Sequence, residues 1–261
     1  MKRILITGAS GGVATLIRPL LRADYRLRLS DRLPVPDPVD GEEVVEADLG
    51  DLPALRKAVA GVDGIVHLGG YSVEADWETI QAANIVGCNN LFEAARLEGV
   101  KRIVFASSNH AVGFYPRSQT IGIDAPVRPD TRYGLSKAFG EALAALHAYK
   151  YGAEVLSIRI GNVGEKPLDR RRLAIWLSPR DLVQLIGIGL EHPDIRHEIV
   201  FGMSDNDRAW WDNSNAFRLG YRPMDRSEDF AAAVLAADDG KSGDDRVDLN
   251  QGGGFCIAEK M

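Results

Sequence analysis

At 261 residues, with 45% hydrophobic and 26% charged side chains, the chain has the composition of a soluble globular protein that can bury one large core. A formal net charge of −6 excludes non-specific nucleic-acid binding, which needs a basic surface, and Lys101-Arg102 and Arg170-Arg171-Arg172 are too short to reverse that. No stretch approaches the ~20 apolar residues of a membrane span. The N-terminus enters a strand pattern with no signal-peptide apolar region, and the two cysteines, Cys88 and Cys256, are far apart and in no metal spacing. Free thiols in a reducing cytoplasm are expected, and no bound metal, since the five histidines form no ligand cluster.

In chain order, strands are predicted at residues 3–7, 26–30, 43–47, 64–68, 102–106 and 155–160, with helices near 13–22, 52–60, 77–98 and 133–151 between them. Runs such as Ile4-Leu5-Ile6 and Ile103-Val104-Phe105 are too uniformly apolar for half-exposed strands and predict burial on both faces. Strand–helix alternation with such strands gives an α/β class: a Rossmann-type doubly wound parallel sheet. After Gly161 the pattern is irregular. A helix near 179–191, a short strand at 198–201, a tryptophan-rich turn and a helix near 228–236 are expected. The tail from Asp238, rich in Asp and Gly, is predicted to be extended and weakly held.

The first strand runs into Gly8-Ala-Ser-Gly11-Gly-Val-Ala14 and then a helix. Gly8 permits the tight turn, Gly11 lets backbone approach a pyrophosphate, and Ala14 is small enough for close helix–strand packing. The helix N-terminus then offers free N–H donors and a partial positive charge to the phosphates. Asp31 ends the second strand, 20 residues past Gly11. A carboxylate there accepts from a ribose 2′- and 3′-hydroxyl pair and repels a 2′-phosphate, which favours NAD over NADP, although Arg32 next door could accommodate a phosphate. Asp48-Leu49 reads equally as an adenine-flanking pair and as a turn start. The expected organisation is an NAD-binding domain over 1–161 and a small substrate-binding C-terminal lobe over 162–261, packed on the first.

Tyr133 and Lys137 stand four apart in a predicted helix, so both leave one face, one turn apart. An ammonium beside a phenol favours the phenolate, and a tyrosine whose pKa is lowered from about 10 could take a proton from an alcohol near neutral pH. The spacing alone is weak evidence. It gains weight from the glycine turn and from Ser107-Ser108, a serine pair that ends the fifth strand 25 residues before the tyrosine.

The glycine turn, Asp31, Asp48-Leu49, Leu68-Gly69-Gly70, Asn84, Ser107-Ser108 and Tyr133/Lys137 together resemble the extended short-chain dehydrogenase/reductases, the NAD-dependent epimerase/dehydratase superfamily. Three runs narrow the resemblance to the uronate dehydrogenases: Gly64-Ile-Val-His-Leu-Gly-Gly-Tyr-Ser-Val-Glu74, Arg102-Ile-Val-Phe-Ala-Ser-Ser-Asn-His110 and Trp210-Trp-Asp-Asn213. That resemblance covers nearly the whole chain. It implies an oxidoreductase that uses NAD to oxidise the anomeric carbon of a free hexuronic acid to an aldarolactone, with Ser108, Tyr133 and Lys137 catalytic. It also implies cofactor contacts at Gly8, Gly11, Gly12, Val13, Asp31, Asp48, Leu49, Leu68, Gly69, Tyr133 and Lys137. The sugar acid would meet Ser72, Ser108, Asn109, His110, Tyr133 and Arg171. Where family members often have serine after Arg-Ile-Gly, this chain has Asn162, which bears on substrate preference more than on reaction type.

Other readings stand beside these. Arg171 could belong to a solvated charge run, or clamp a carboxylate with its planar guanidinium. His110 could be a structural histidine, Asn84 a helix-interior hydrogen-bonder, and Trp210 and Trp211 lobe packing in preference to a sugar platform. A nucleotide-sugar epimerase or dehydratase is the rival activity, and an NAD-binding sensor or scaffold without catalysis is the rival of another class. The sequence does not separate glucuronate from galacturonate and is silent on oligomeric state, a homo-oligomer included.

Overall fold

A computed structural model describes residues 1–237, 240 and 242–259. Seven parallel strands form one sheet in the order β3-β2-β1-β4-β5-β6-β9. They are β1 (Arg3–Thr7), β2 (Arg26–Asp31), β3 (Glu43–Glu46), β4 (Gly64–His67), β5 (Arg102–Ser108), β6 (Glu154–Ile160) and β9 (His197–Gly202). Alternation along each strand splits the core in two. Ile4, Ile6, Val66, Val104 and Leu156 face one side with α1 (Gly12–Leu21) and α7 (Pro179–Glu191). Leu5, Ile65, Ile103, Phe105 and Val155 face the other, under α2 (Leu52–Val59), α4 (Gly87–Leu97) and α5 (Arg132–Tyr151). The uniformly apolar runs are thus explained by two covered faces.

The chain runs outward from β1 through β2 to β3 and then returns to place β4 on the other side of β1. The loops after β1 and β4 therefore meet at a topological switch point, where a doubly wound sheet opens a crevice at the carboxyl ends of its strands. β5 runs two residues past its predicted end, because Ser107 and Ser108 pair with Arg159 and Ile160 of β6. The long helix predicted at 77–98 is α-helical over α3 (Trp77–Ile80), π-helical over Gln81–Val86 and α-helical again over α4. Helix α5 starts at Thr131, whose hydroxyl accepts from Gly134 N (2.9 Å), and stops at Gly152, whose φ of +74° suits glycine.

Beyond Gly161 come β7 (Asn162–Val163) and β8 (Trp176–Leu177), paired in parallel, with α6 (Arg172–Ile175) between them. Helix α7 and β9 then rejoin the sheet, so part of the chain after residue 161 completes the core. Next are α8 (Ser214–Arg218), α9 (Ala231–Ala237) and α10 (Asp245–Leu249). Trp211 stacks on Phe201 at 4.8 Å and is buried, which fits the packing reading. One expectation fails. The tail over 242–259 is built into the protein, with α10, a 3₁₀ turn at Gly253–Ile257 and a fully buried Gln251. Gln251 accepts from Trp211 Nε1 (2.9 Å) and donates to the Pro116 (3.2 Å) and Gln119 (3.0 Å) carbonyls, while Arg117 donates to the Val247 and Asn250 carbonyls. Satisfied polar groups hold the segment where composition promised no core. Asp238, Asp239 and Lys241 lie outside the described residues. Among those described, no helix is long and apolar enough to cross a membrane.

Candidate active site

At the switch point a cleft of about 710 Å³ is lined by Gly8, Gly11, Gly12, Val13, Asp31, Asp48, Leu49, Leu68 and Gly69, and by Ser72 at the β4 side. Gly8 has φ +70°, and a Cβ there would lie 2.7 Å from Gly69 N, so both torsion and close approach demand glycine. Gly11 caps α1, and no acidic residue occupies the first turn of that helix, which leaves its N–H groups and positive dipole end to an anion. Asp31 Oδ2 accepts from Ser10 N (3.0 Å) and Oγ (2.7 Å), and Oδ1 accepts from Leu33 N (3.0 Å). The carboxylate is therefore fixed at the cleft wall with lone pairs to spare. Asp48 Oδ1 accepts from Gly50 N (2.7 Å), so it starts its turn and lines the cleft as well. A glycine cradle, a helix N-terminus and an anchored carboxylate fit a dinucleotide.

Ser108 ends β5, Tyr133 lies in the first turn of α5 and Lys137 one turn on; all three are buried. Ser108 Oγ accepts from His110 N (3.2 Å), and Ser108 is near enough to the Tyr133 phenol to favour its anion. Lys137 Nζ donates to the Ala106 carbonyl (2.7 Å) and lies 5.5 Å from the centre of the Tyr133 ring. The expected lowering of the phenol is not found. Burial pushes Tyr133 up to about 12, with Ser108 opposing, and pushes Lys137 down to about 8. The spacing puts both side chains on one face, but the ammonium donates to the Ala106 carbonyl, and burial outweighs it at the phenol.

His110, buried, places Nδ1 2.7 Å from Asp130 Oδ2 and stacks on Phe255 at 3.7 Å. Burial lowers its pKa, with Asp130 opposing. Arg171 donates from Nε to the Gln251 carbonyl (2.9 Å). In the orientation its surroundings require, the Asn109 amide accepts from Arg171 Nη2 and donates to the Ile160 carbonyl, both at 3.2 Å. Burial, Arg117 and Arg172 push Arg171 down to about 10, so it stays a cation at neutral pH. Arg172 pairs with Asp169, whereas Arg171 has no ion pair among the described residues.

The structure brings Ser108, Asn109, His110, Tyr133 and Arg171 together at the ends of β5, β6 and α5. Ser72 and Asn162 flank them: Ser72 is exposed on the cleft wall, and Asn162 is half-buried in β7, paired with Trp176. Neither side chain hydrogen-bonds the cluster. Asn84 is more than a helix-interior residue. From the π-helical run it holds Tyr71 N and O (2.6 and 2.9 Å) and reaches Ser136 Oγ (2.9 Å), tying the β4 loop to α5. Sequence reasoning missed Asp130, Gln251, Phe255 and Glu74, a buried carboxylate that accepts from Tyr133 N (3.1 Å). The run ending at Glu74 pointed to the last; nothing local marks the other three.

A family model described as the NAD dependent epimerase/dehydratase family matches residues 4–179. The chain is 48% identical over 258 residues to the uronate dehydrogenase of Pseudomonas putida, covering 98% of this chain and 96% of that protein. It superposes on a glucuronic acid dehydrogenase from Chromohalobacter salexigens with a TM-score of 0.96 at 44% identity, covering 99% and 97% of the two chains. A uronate dehydrogenase variant from Agrobacterium tumefaciens, complexed with NAD, matches with a TM-score of 0.95 at 43% identity, covering 99% and 98%.

Proposed function

Because this chain belongs to the NAD dependent epimerase/dehydratase family, and within it to the uronate dehydrogenases, we propose that it oxidises a free hexuronic acid, glucuronate or galacturonate, at C1 to the aldarolactone. It is an NAD-dependent oxidoreductase. The observation that carries the substrate reading is Arg171: a cation held by the Gln251 carbonyl and the Asn109 amide, with no ion pair among the described residues. A planar guanidinium so placed suits the C6 carboxylate of a uronic acid and fixes which carbon lies near Tyr133.

Bound NAD would supply the hydride acceptor, held by Gly8, Gly11, Gly12, Val13, Asp31, Asp48, Leu49, Leu68 and Gly69, with Tyr133 and Lys137 at the nicotinamide end. Tyr133 takes the proton of the C1 hydroxyl as general base. It does so as the phenolate, which burial disfavours, so the anion needs local support from Ser108 close by and from the Lys137 ammonium, 5.5 Å from the ring centre. Ser108 also orients the sugar hydroxyl. Asn109 and His110 meet the ring hydroxyls, Ser72 and Asn162 border them, and Arg171 holds the carboxylate. The test is a comparison of substrates by NADH formation. Glucuronate and galacturonate should far exceed glucose and galactose in kcat/KM; comparable values for the neutral sugars would defeat the carboxylate reading.

A further inference from the structure

His110 is more tightly specified than a residue that only touches a sugar needs to be. Its Nδ1 lies 2.7 Å from Asp130 Oδ2, and the Asp130 side chain is fully buried. The Thr131 hydroxyl donates to the other carboxylate oxygen at 2.9 Å. Two bare stretches of backbone press on Oδ2: a Cβ at Gly113 would lie 1.8 Å from it, and one at Gly252 2.0 Å. Gly252 comes from the tail and is anchored by its N–H on the Gly113 carbonyl (2.8 Å). The imidazole is clamped between the face of Phe255 at 3.7 Å and the edge of Tyr133 at 5.8 Å between centres. Ring nitrogen Nε2 has no protein hydrogen-bond partner among the described residues and is not fully enclosed.

We propose that Asp130 is a positioning residue of the sugar-acid site: its carboxylate holds His110 as the Nδ1–H tautomer, so that Nε2 meets the substrate as a hydrogen-bond acceptor. An ionised carboxylate only accepts, so the proton of a neutral imidazole must be on the nitrogen facing it. The other nitrogen then carries a lone pair, on a ring packed against Tyr133, suited to a sugar hydroxyl that donates. The opposite tautomer would point N–H at the same place, and the hydroxyl would have to turn. The inference rests on the sugar-acid reading of this site. It adds that the tail, through Gly252 and Phe255, is part of the positioning machinery.

The test reads the tautomer directly, by 15N resonances of histidine-labelled protein, with His110 assigned by its loss in His110→Gln. The wild type should show Nδ1–H, and Asp130→Asn, whose amide can donate as well as accept, should show Nε2–H or a mixture. Asp130→Asn should lower kcat/KM for the uronate about 10- to 100-fold, the scale seen when a buried partner that orients a histidine is removed, and leave NADH binding unchanged. In a His110→Gln background the same substitution should add little, because Asp130 acts through the imidazole. An Nε2–H tautomer in the wild type overturns the proposal, as do additive losses in the double variant or a loss of NADH binding in Asp130→Asn. Should the wild type turn over no uronate, the proposed function falls, while the tautomer still decides the Asp130–His110 link.

Discussion

Replacing Arg171 with alanine perturbs one charge and little of the core. The guanidinium makes two hydrogen bonds to the protein, to the Gln251 carbonyl and the Asn109 amide, and these orient it without neutralising it. A uronate carboxylate would add a charge-assisted pair, each bond worth about 1.5–3 kcal/mol. Against this stands the relief of repulsion from Arg117 and Arg172, which already depress the Arg171 pKa. The net loss should be about 3–4 kcal/mol, on the order of 10²–10³ in kcat/KM at ~1.4 kcal/mol per tenfold, and carried mainly by KM. The assay is NADH formation from glucuronate and, in parallel, from glucose at high concentration. Glucose should lose no more than a few-fold. A second control is Arg170→Ala, an exposed arginine in the same run, which should leave both rates near wild type. Arg172 is unsuitable, since its backbone N–H and its guanidinium both bind Asp169. Equal losses on charged and neutral sugars would mean that Arg171 acts by holding the tail, where Gly253 packs against it, and would refute the clamp.

Other expectations are as direct. Tyr133→Phe should lower kcat by about 10²–10⁴, the usual cost of removing a general base, with NAD binding retained; near-normal turnover would sink the mechanism. As pH rises, the phenolate population grows while the Lys137 ammonium is lost through about 8. Lys137→Met should therefore move the rising limb of the kcat/KM profile to higher pH, and an unmoved limb would remove Lys137 from the support of the base. NAD should be strongly preferred to NADP because Asp31 would oppose a 2′-phosphate, and Asp31→Ala should narrow the preference; equal use of NADP by the wild type would point to Arg32 instead. Asn162→Ser should shift the ratio of kcat/KM between glucuronate and galacturonate by a few-fold to about tenfold, the worth of one altered hydrogen bond. An unchanged ratio with a large fall in Tm would make Asn162 a scaffold residue of β7.

The readable parts of the chain were the local ones. Gly8 to Val13 could be placed because turn, strand end and helix start are contiguous, and the sheet followed from apolar runs whose alternation shows only after two covered faces are assumed. Tyr133 and Lys137 were readable as neighbours, since helix periodicity fixes a face. Their charge relation was not, because burial depth and the Ala106 carbonyl lie outside periodicity. The tail was misread for a similar reason. Gln251 meets Trp211 across 40 residues and Phe255 meets His110 across far more, so an Asp- and Gly-rich composition could not reveal that its polar groups are satisfied by partners elsewhere. Asp130 looked like a loop residue before a helix cap, and only the fold puts it against His110.

The central claim is that the chain releases NADH while oxidising a free uronic acid at C1. The direct measurement is to mix the purified protein with NAD and galacturonate or glucuronate, follow NADH absorbance, and identify the sugar product by NMR. The account predicts one NADH released for each sugar consumed and an aldarolactone as the first product. Turnover of a nucleotide sugar with no accumulation of NADH, and no reaction with either free uronate, would contradict it.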